Sequence, residues 1–372
     1  MVAGSGALAL RNREVLMFHV LVLGDFNEVA LELLDARDDV TYEVLTGGAP
    51  GEILEHAPAA NAIMAMLEVI DRSVVEAAPS LRVVSRHGVG FDTVDVDALT
   101  ERGIPLAVTA TGNAVSVAEH AMSLLFAVRK QTVTLDRLVR DGRWSERGRH
   151  PIYDLHGTTL LILGFGRIGR QLAVRAKAFG IRVQALDPWV SDAEVEAAGG
   201  ERVTDLHAAL AGADAVSLHL PLSEETRGMF DAAAFAATKP GAVFINTARG
   251  GLVDEDALCE ALRSERLAAA GLDTLQAEPP PDGHPLLALP NVVLSPHAAG
   301  MTEEARRRMA TETAINALAG LDGRLTPEVV VNRSVLSPAQ AGVALSPTTH
   351  AQSPPGFVTR CTAASTSGAE ET

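Results

Sequence analysis

The apolar run TTLLIL at residues 158–163, the motif GFGRIG that follows it and the amphipathic stretch RQLAVRAKAFG after that constrain the fold more than any other part of the chain. The apolar run reads as a buried strand and the periodic stretch as a helix. Glycines at 164, 166 and 169 have the spacing of a turn that passes from a parallel strand into a helix and binds a pyrophosphate. Gly164 permits the tight turn, Gly166 lets a ligand approach the backbone, and Gly169 lets the helix lie close to the sheet. Arg167 and Ile168 open that helix, whose unpaired N–H groups and dipole favour phosphate. Asp187 ends the next apolar run, RVQALD, eighteen residues after Gly169. A carboxylate there accepts hydrogen bonds from ribose hydroxyls and repels a 2′-phosphate, so the cofactor read from the motif is NAD rather than NADP. The plainer readings are a glycine-marked turn without a ligand and, for Asp187 before Pro188, a strand-end turn residue.

The rest of the chain repeats this alternation on both sides of the motif. From Phe18, HVLVLG, EVALELLDA and VTYEVL read as strand, helix and strand, and AIMAM, SVVEAA, LRVVSR, VDALTERG and PLAVT continue the rhythm. The stretch from Val115 to Asp141 reads as one long helix leading to a polar, basic crossing segment, GRWSERGRHPIYDLHG. A second strand–helix series follows TTLLIL: RVQALD, DLHAALAGAD, AVSLHL, AVFINT, EDALCEALRS, AAAGLD and NVVLS. A further helix is expected near 302–322 and a last strand at Val329–Val331. The fold class is therefore α/β, with two doubly wound parallel-sheet domains of which the second is larger. Residues 333–372, rich in Ser, Thr, Ala, Pro and Gly, are expected to form a disordered tail.

Composition removes several classes of function. The chain carries 47 acidic and 31 basic residues, a net charge of −16, which disfavours a nucleic-acid partner. No stretch reaches the roughly 18 uncharged apolar residues of a membrane helix, so no membrane partner is expected. Its two cysteines, Cys259 and Cys361, suit neither a disulfide framework nor a metal cluster, and a cytoplasmic location is the simplest reading. Glu119 and His120 are read as helix packing or capping between domains, and without HExxH or paired cysteines no metal is expected.

Polar residues just after the late strands are the candidates for chemistry, because the carboxyl ends of parallel strands converge on one crevice. Arg249 follows AVFINT, Glu278 lies in the loop TLQAEPP, and His297 follows NVVLS. Reduction of a 2-keto acid requires an anion receptor, a hydride donor and a proton donor. Arg249 offers a fork for a carboxylate and His297 a proton for the forming alkoxide, while Glu278 on the other ring nitrogen fixes the imidazole. Taken singly, each residue reads as an ordinary surface ion pair or loop histidine.

The motifs RHGVGFDTVD, GNAVSVAEHAM, LGFGRIGRQLA, LHLPLSEETRGMF, FINTARGGLVDEDAL, GLDTLQAEP and LSPHAAG resemble those of the D-isomer-specific 2-hydroxyacid dehydrogenases. That group contains phosphoglycerate dehydrogenase, glyoxylate and hydroxypyruvate reductases, and D-lactate dehydrogenase. The resemblance covers about residues 18–332. It implies that Arg249, Glu278 and His297 are catalytic, and that Val89 and Gly90 present backbone N–H groups to the substrate carboxylate. Val117, His219, Pro221, Thr226, Thr247, Ala248, Asp273 and His297 are implied to line the cofactor cleft, with Asp273 at the nicotinamide carboxamide. The implied organisation is a Rossmann NAD-binding domain, 113–301, inserted in a flavodoxin-like substrate domain made of 18–112 and 302–332. The resemblance also implies closure of the domains over substrate and a homodimer formed through the NAD-binding domain.

The substrate is less constrained. Phosphoglycerate dehydrogenases usually place a basic residue after the third strand, where this chain has AIMAMLEVID with Ala65 and Met66 nearest. A small unphosphorylated keto acid such as hydroxypyruvate or glyoxylate is therefore preferred, with phosphoglycerate as the rival and Arg86, or a basic group from Arg143 to Arg149 of a second copy of the chain, as its compensating cation. Glu278 stands where formate dehydrogenases carry glutamine, which speaks against that chemistry. An NAD-sensing, corepressor-like binding protein is the non-enzymatic alternative, since such relatives can retain the same polar residues.

Overall fold

The computed structural model describes residues 17–109 and 111–337, so Cys361 and all but the first residues of the expected tail lie outside the described residues. The described backbone separates into two compact units, residues 17–109 with 307–337, and residues 111–306.

The smaller unit is built on β1 (Phe18–Leu23), β2 (Val40–Leu45), β3 (Ala62–Ala65), β4 (Val83–Arg86) and β5 (Leu106–Val108). These pair in parallel in the order β2-β1-β3-β4-β5. Strands β3, β4 and β5 are buried at every position, which is why β3 and β5 read as unbroken apolar runs rather than alternating ones, while β4 closes on the buried Ser85 and Arg86. Asn27, Asp71 and Asp95 cap the helices that follow by accepting a backbone N–H in the first turn. The helix Glu303–Leu321 begins in the larger unit, and from Arg307 onward it belongs to the smaller one. Its Ala310, Ala314 and Ala317 share a core with Val20, Val22 and Val83. Gly320 allows closest approach, since a Cβ there would stand 2.5 Å from that of Val83. Val329–Val331 contributes an isolated antiparallel bridge to β5, between Val330 and Ala107, rather than a full strand.

The larger unit carries β6 (Thr159–Leu163), β7 (Arg182–Leu186), β8 (Glu201–Arg202), β9 (Ala215–Leu218), β10 (Ala242–Asn246), β11 (Leu267–Leu272) and β12 (Val292–Leu294). All are parallel, in the order β12-β11-β10-β9-β6-β7-β8. The chain winds outward from β6 to β8 and then crosses back to β9 on the other side of β6. That reversal opens a crevice at the carboxyl ends of β6 and β9. Strand β11 has little side-chain bulk, and its Gly271 lets the helix Ala114–Arg129 press close, with a Cβ there only 2.9 Å from that of Leu124.

The single long helix expected from Val115 to Asp141 is instead two, Ala114–Arg129 and Thr132–Arg140. The break falls at Gln131, whose φ of 49° is left-handed and whose side-chain Nε2 donates to Pro151 O at 2.8 Å. Short helices at Pro50–His56, Asp192–Ala197 and Ala232–Ala237, and the edge strand β8, carry too few residues to establish a period and were not read from the sequence.

Candidate active site

Strand β6 ends in the glycine turn. Gly164 has φ +89°, and a Cβ on it would stand 2.5 Å from His219 O at the end of β9. A Cβ on Gly169 would strike Gly164 O, whereas one on Gly166 would meet nothing within 4 Å. Packing thus demands glycine at 164 and 169, and the exposed Gly166 leaves open space before the N-terminus of the helix Arg167–Ala178. Arg167 is exposed there and Ile168 half-buried. Asp187, at the end of β7, accepts Phe165 N–H at 2.7 Å on one oxygen and Trp189 N–H at 2.8 Å on the other. Each carboxylate oxygen keeps a lone pair for a further donor.

Two buried polar atoms along the same strand ends, Thr247 Oγ1 and His219 Nδ1, have no hydrogen-bond partner among the described residues. Buried polar groups are rarely left unpaired, so such atoms point to a ligand. His219 Nε2 bonds Ser217 Oγ at 2.8 Å, and burial pushes the His219 pKa down to about 3, keeping the ring neutral. The open space at Gly166 and these orphaned atoms fit a dinucleotide.

Three strand ends supply the polar trio. His297, after β12, has the left-handed φ of 51°, and its N–H donates to Asp273 O at 2.7 Å. That conformation costs a non-glycine residue about 1 kcal/mol or more and persists because neighbours fix it. The imidazole Nδ1 lies 2.7 Å from Glu278 Oε2, while Glu278 Oε1 accepts Leu275 N–H at 3.0 Å. Burial opposes ionisation of Glu278. The hydrogen bond and charge of His297, the Leu275 N–H and the charge of Arg249 outweigh it and hold the carboxyl below its ordinary range.

Arg249 is extended, at φ −147°, and its Nη1 donates to Ala248 O at 2.7 Å. The next residue, Gly250, is buried against the Leu275 backbone, where any Cβ would collide with the Leu275 carbonyl. This contact brings the Arg249 loop against the loop that carries Glu278.

The remaining expected residues occupy varied settings. Val89 is exposed and Gly90 half-buried in the loop after β4, in the smaller unit. Val117 is buried in the helix Ala114–Arg129. Thr226 donates its hydroxyl to Pro221 O at 2.7 Å and thereby closes the 221–226 loop. Ala248 N–H donates to Asn246 Oδ1 at 3.0 Å. Asp273, almost fully buried, accepts Ala298 N–H and Ala299 N–H, each at 2.9 Å, and so ties down the loop around His297.

Residues 122–299 match the family model described as D-isomer specific 2-hydroxyacid dehydrogenase, NAD binding domain. A glyoxylate reductase of Korarchaeum cryptofilum is 41% identical over 283 residues, which span 75% of this chain and 85% of that one. The chain belongs to the D-isomer-specific 2-hydroxyacid dehydrogenase family. Within this family, a D-3-phosphoglycerate dehydrogenase of Archaeoglobus fulgidus is 37% identical over 309 residues, 82% of this chain. The chain spans only 58% of that relative's length. A solved glyoxylate reductase from Paecilomyes thermophila superposes with a TM-score of 0.76 at 31% identity, covering 82% of this chain and 96% of that one.

Three supports of this site escaped the sequence reading. Asn246, buried at the end of β10, accepts from Ala248 and donates to Arg249 O at 2.8 Å, shaping the arginine loop. A polar residue ending the apolar run AVFIN was the available signal. Glu255 accepts Gln276 N–H at 2.7 Å and pairs with His284 Nε2 at 3.0 Å, clamping the loop around Glu278 at both ends. His120, read as packing or capping between domains, instead reaches Ser295 Oγ at 2.7 Å within the larger unit.

Proposed function

We propose that this chain is an NAD-dependent oxidoreductase that interconverts a small D-2-hydroxy acid and its 2-keto acid. The observation that carries the reading is the Glu278–His297 pair at 2.7 Å, with Arg249 close enough for its charge to lower the carboxyl pKa. In the direction of reduction, Arg249 binds the substrate carboxylate through its guanidinium fork and polarises the adjacent carbonyl. His297, with Nδ1–H donated to Glu278, holds a proton on Nε2 and transfers it to the oxygen as that oxygen gains charge. Glu278 fixes the ring orientation and stabilises its charged form. When bound, NADH supplies the hydride. In oxidation His297 takes the proton back from the hydroxyl.

Val89 and Gly90 are assigned to the substrate carboxylate by family resemblance. Gly164, Gly166, Arg167, Ile168 and Gly169 would hold the pyrophosphate, and Asp187 the adenosine ribose. His219, Pro221, Thr226, Thr247, Ala248, Val117 and Asp273 are assigned to the rest of the cofactor. The cofactor domain in this reading is 113–301, and the substrate domain 18–112 with 302–332.

A small unphosphorylated substrate such as glyoxylate or hydroxypyruvate is favoured over phosphoglycerate. At the end of β3, Glu68 accepts Met66 N–H at 2.8 Å and Leu67 is exposed. An acidic and apolar loop at this point repels a phosphate. A homodimer belongs to the same reading: Val133, Val139, Trp144, Ile152 and Tyr153, all on the segment from Thr132 to Tyr153, are exposed. The buried free thiol of Cys259 is consistent with a cytoplasmic location.

Initial rates of NADH oxidation across glyoxylate, hydroxypyruvate, pyruvate, phosphohydroxypyruvate and larger 2-keto acids, with NADPH in parallel, test the reading. Preference for an unphosphorylated acid with NADH is expected. Preference for phosphohydroxypyruvate would overturn the substrate assignment, and no turnover despite NADH binding would favour a sensing protein.

A further inference from the structure

Glu119 and His120 stand side by side on the helix Ala114–Arg129 and point to different parts of the larger unit. Glu119 Oε1 pairs with Arg175 at 2.9 Å, on the helix that follows the glycine turn. His120 Nε2 lies 2.7 Å from Ser295 Oγ and 3.5 Å from Asp273 Oδ1. Ser295 donates its only hydroxyl proton to Asp273 Oδ1 at 2.5 Å. Its oxygen can therefore only accept from the ring, which fixes His120 with its proton on Nε2.

Asp273 is the hub of this chain of bonds. Its carboxylate receives Ser295 Oγ–H, Ala298 N–H and Ala299 N–H, and its carbonyl receives His297 N–H. The left-handed turn at His297 is therefore held from residues on both of its sides through one buried side chain. His120 is the outermost member of this set and comes from a different element. Its contact with Ser295 joins positions 175 residues apart in sequence.

We propose that His120 is a positioning residue for the acid–base histidine. Its Nε2–H orients the Ser295 hydroxyl toward Asp273, Asp273 fixes the 297–299 turn, and the turn aims the His297 ring at Glu278. This inference rests on the assignment of His297 as acid–base in the proposed reaction. It adds a requirement that packing alone does not impose, a hydrogen-bond donor at this point of the helix.

His120→Leu and His120→Gln separate the two roles, since leucine keeps bulk without a donor and glutamine restores an N–H near the Nε2 position. Two readouts apply to the full-length proteins. Without any substrate, proton NMR of the wild type is expected to show a downfield, slowly exchanging His297 Nδ1–H bonded to Glu278. The signal should broaden or vanish in His120→Leu and return in His120→Gln. With the keto acid preferred by the wild type, kcat should fall about 10- to 100-fold in His120→Leu, with KM within about twofold, and recover substantially in His120→Gln.

A leucine variant that keeps both signal and kcat, or a glutamine variant as impaired as the leucine one, would overturn the proposal. A wild type that turns over no keto acid, yet loses the His297 signal in His120→Leu, would sustain the positioning role and remove the proposed reaction.

Discussion

Glu278 has one oxygen on a backbone N–H and the other on an imidazole, and nearby positive charge favours its ionised form. A glutamine in its place could still accept a bond from His297 but would not stabilise the imidazolium. Glu278→Gln should therefore lower kcat by about 10- to 100-fold with a smaller change in KM, as steady-state kinetics would reveal. The same carboxylate links folding to pH. Its pKa is lower in the folded protein than in the unfolded chain, so its contribution to stability is present above the unfolded value of about 4.3. That contribution disappears as pH falls through the folded value. Thermal denaturation from about pH 6 down to pH 3 should show the wild type losing Tm more steeply than Glu278→Gln. Equal slopes would mean that the pair does not form in solution. Arg249, Glu278 and His297 were legible in the sequence as candidates because each lies in the loop that follows a strand, and parallel topology sends such loops to one edge. The Ser295–His120 contact was not legible, since it depends on where a helix formed far earlier in the chain comes to lie.

The glycine turn makes a contrast available at the level of one strand and one helix. Gly166 faces open space, while a side chain at 169 would strike the Gly164 carbonyl. Gly166→Ala should keep the wild-type Tm yet weaken NADH binding by about tenfold, equivalent to about 1.4 kcal/mol. Gly169→Ala should cost about 1–3 kcal/mol of stability as the helix is pushed from the sheet. Fluorescence titration with NADH and thermal melts of both variants would distinguish the two effects, and a Gly166→Ala protein with undiminished affinity would count against a pyrophosphate at that turn. The strand–turn–helix unit was readable because its glycine spacing is a backbone requirement with few alternatives. The division at Gln131 was not, because residues 115–141 keep helical character throughout and only a tertiary contact to Pro151 accompanies the left-handed residue. The six- and seven-residue helices owe their existence to caps and packing more than to periodicity.

Across the whole molecule, the segment from Thr132 to Tyr153 presents Val133, Val139, Trp144, Ile152 and Tyr153 to solvent in a chain whose net charge is −16. Such a concentration of apolar side chains favours association. Sedimentation velocity should find a dimer, and Val139→Glu combined with Trp144→Glu should shift it toward monomer without loss of secondary structure. A wild-type monomer at micromolar concentration would contradict the proposed assembly. Of this segment, residues 142–153 were read in the sequence as polar and basic and residues 132–141 as the end of one long helix, and the apolar exposure became evident only once the helices were in place.

The way the smaller sheet is covered has a consequence in time. Val20, Val22, Ala62 and Val83 leave the ribosome well before Ala310, Ala314 and Ala317, with which they share a core. Residues 111–306 of the other unit must be made in between. At about 5–20 residues per second this takes roughly ten to forty seconds, during which that face of the first-made sheet is covered only in part, by Ala30 and Leu34 of the helix Glu28–Asp35. The unit begun first is thus finished last, and through that interval part of its apolar face waits for the helix that completes it.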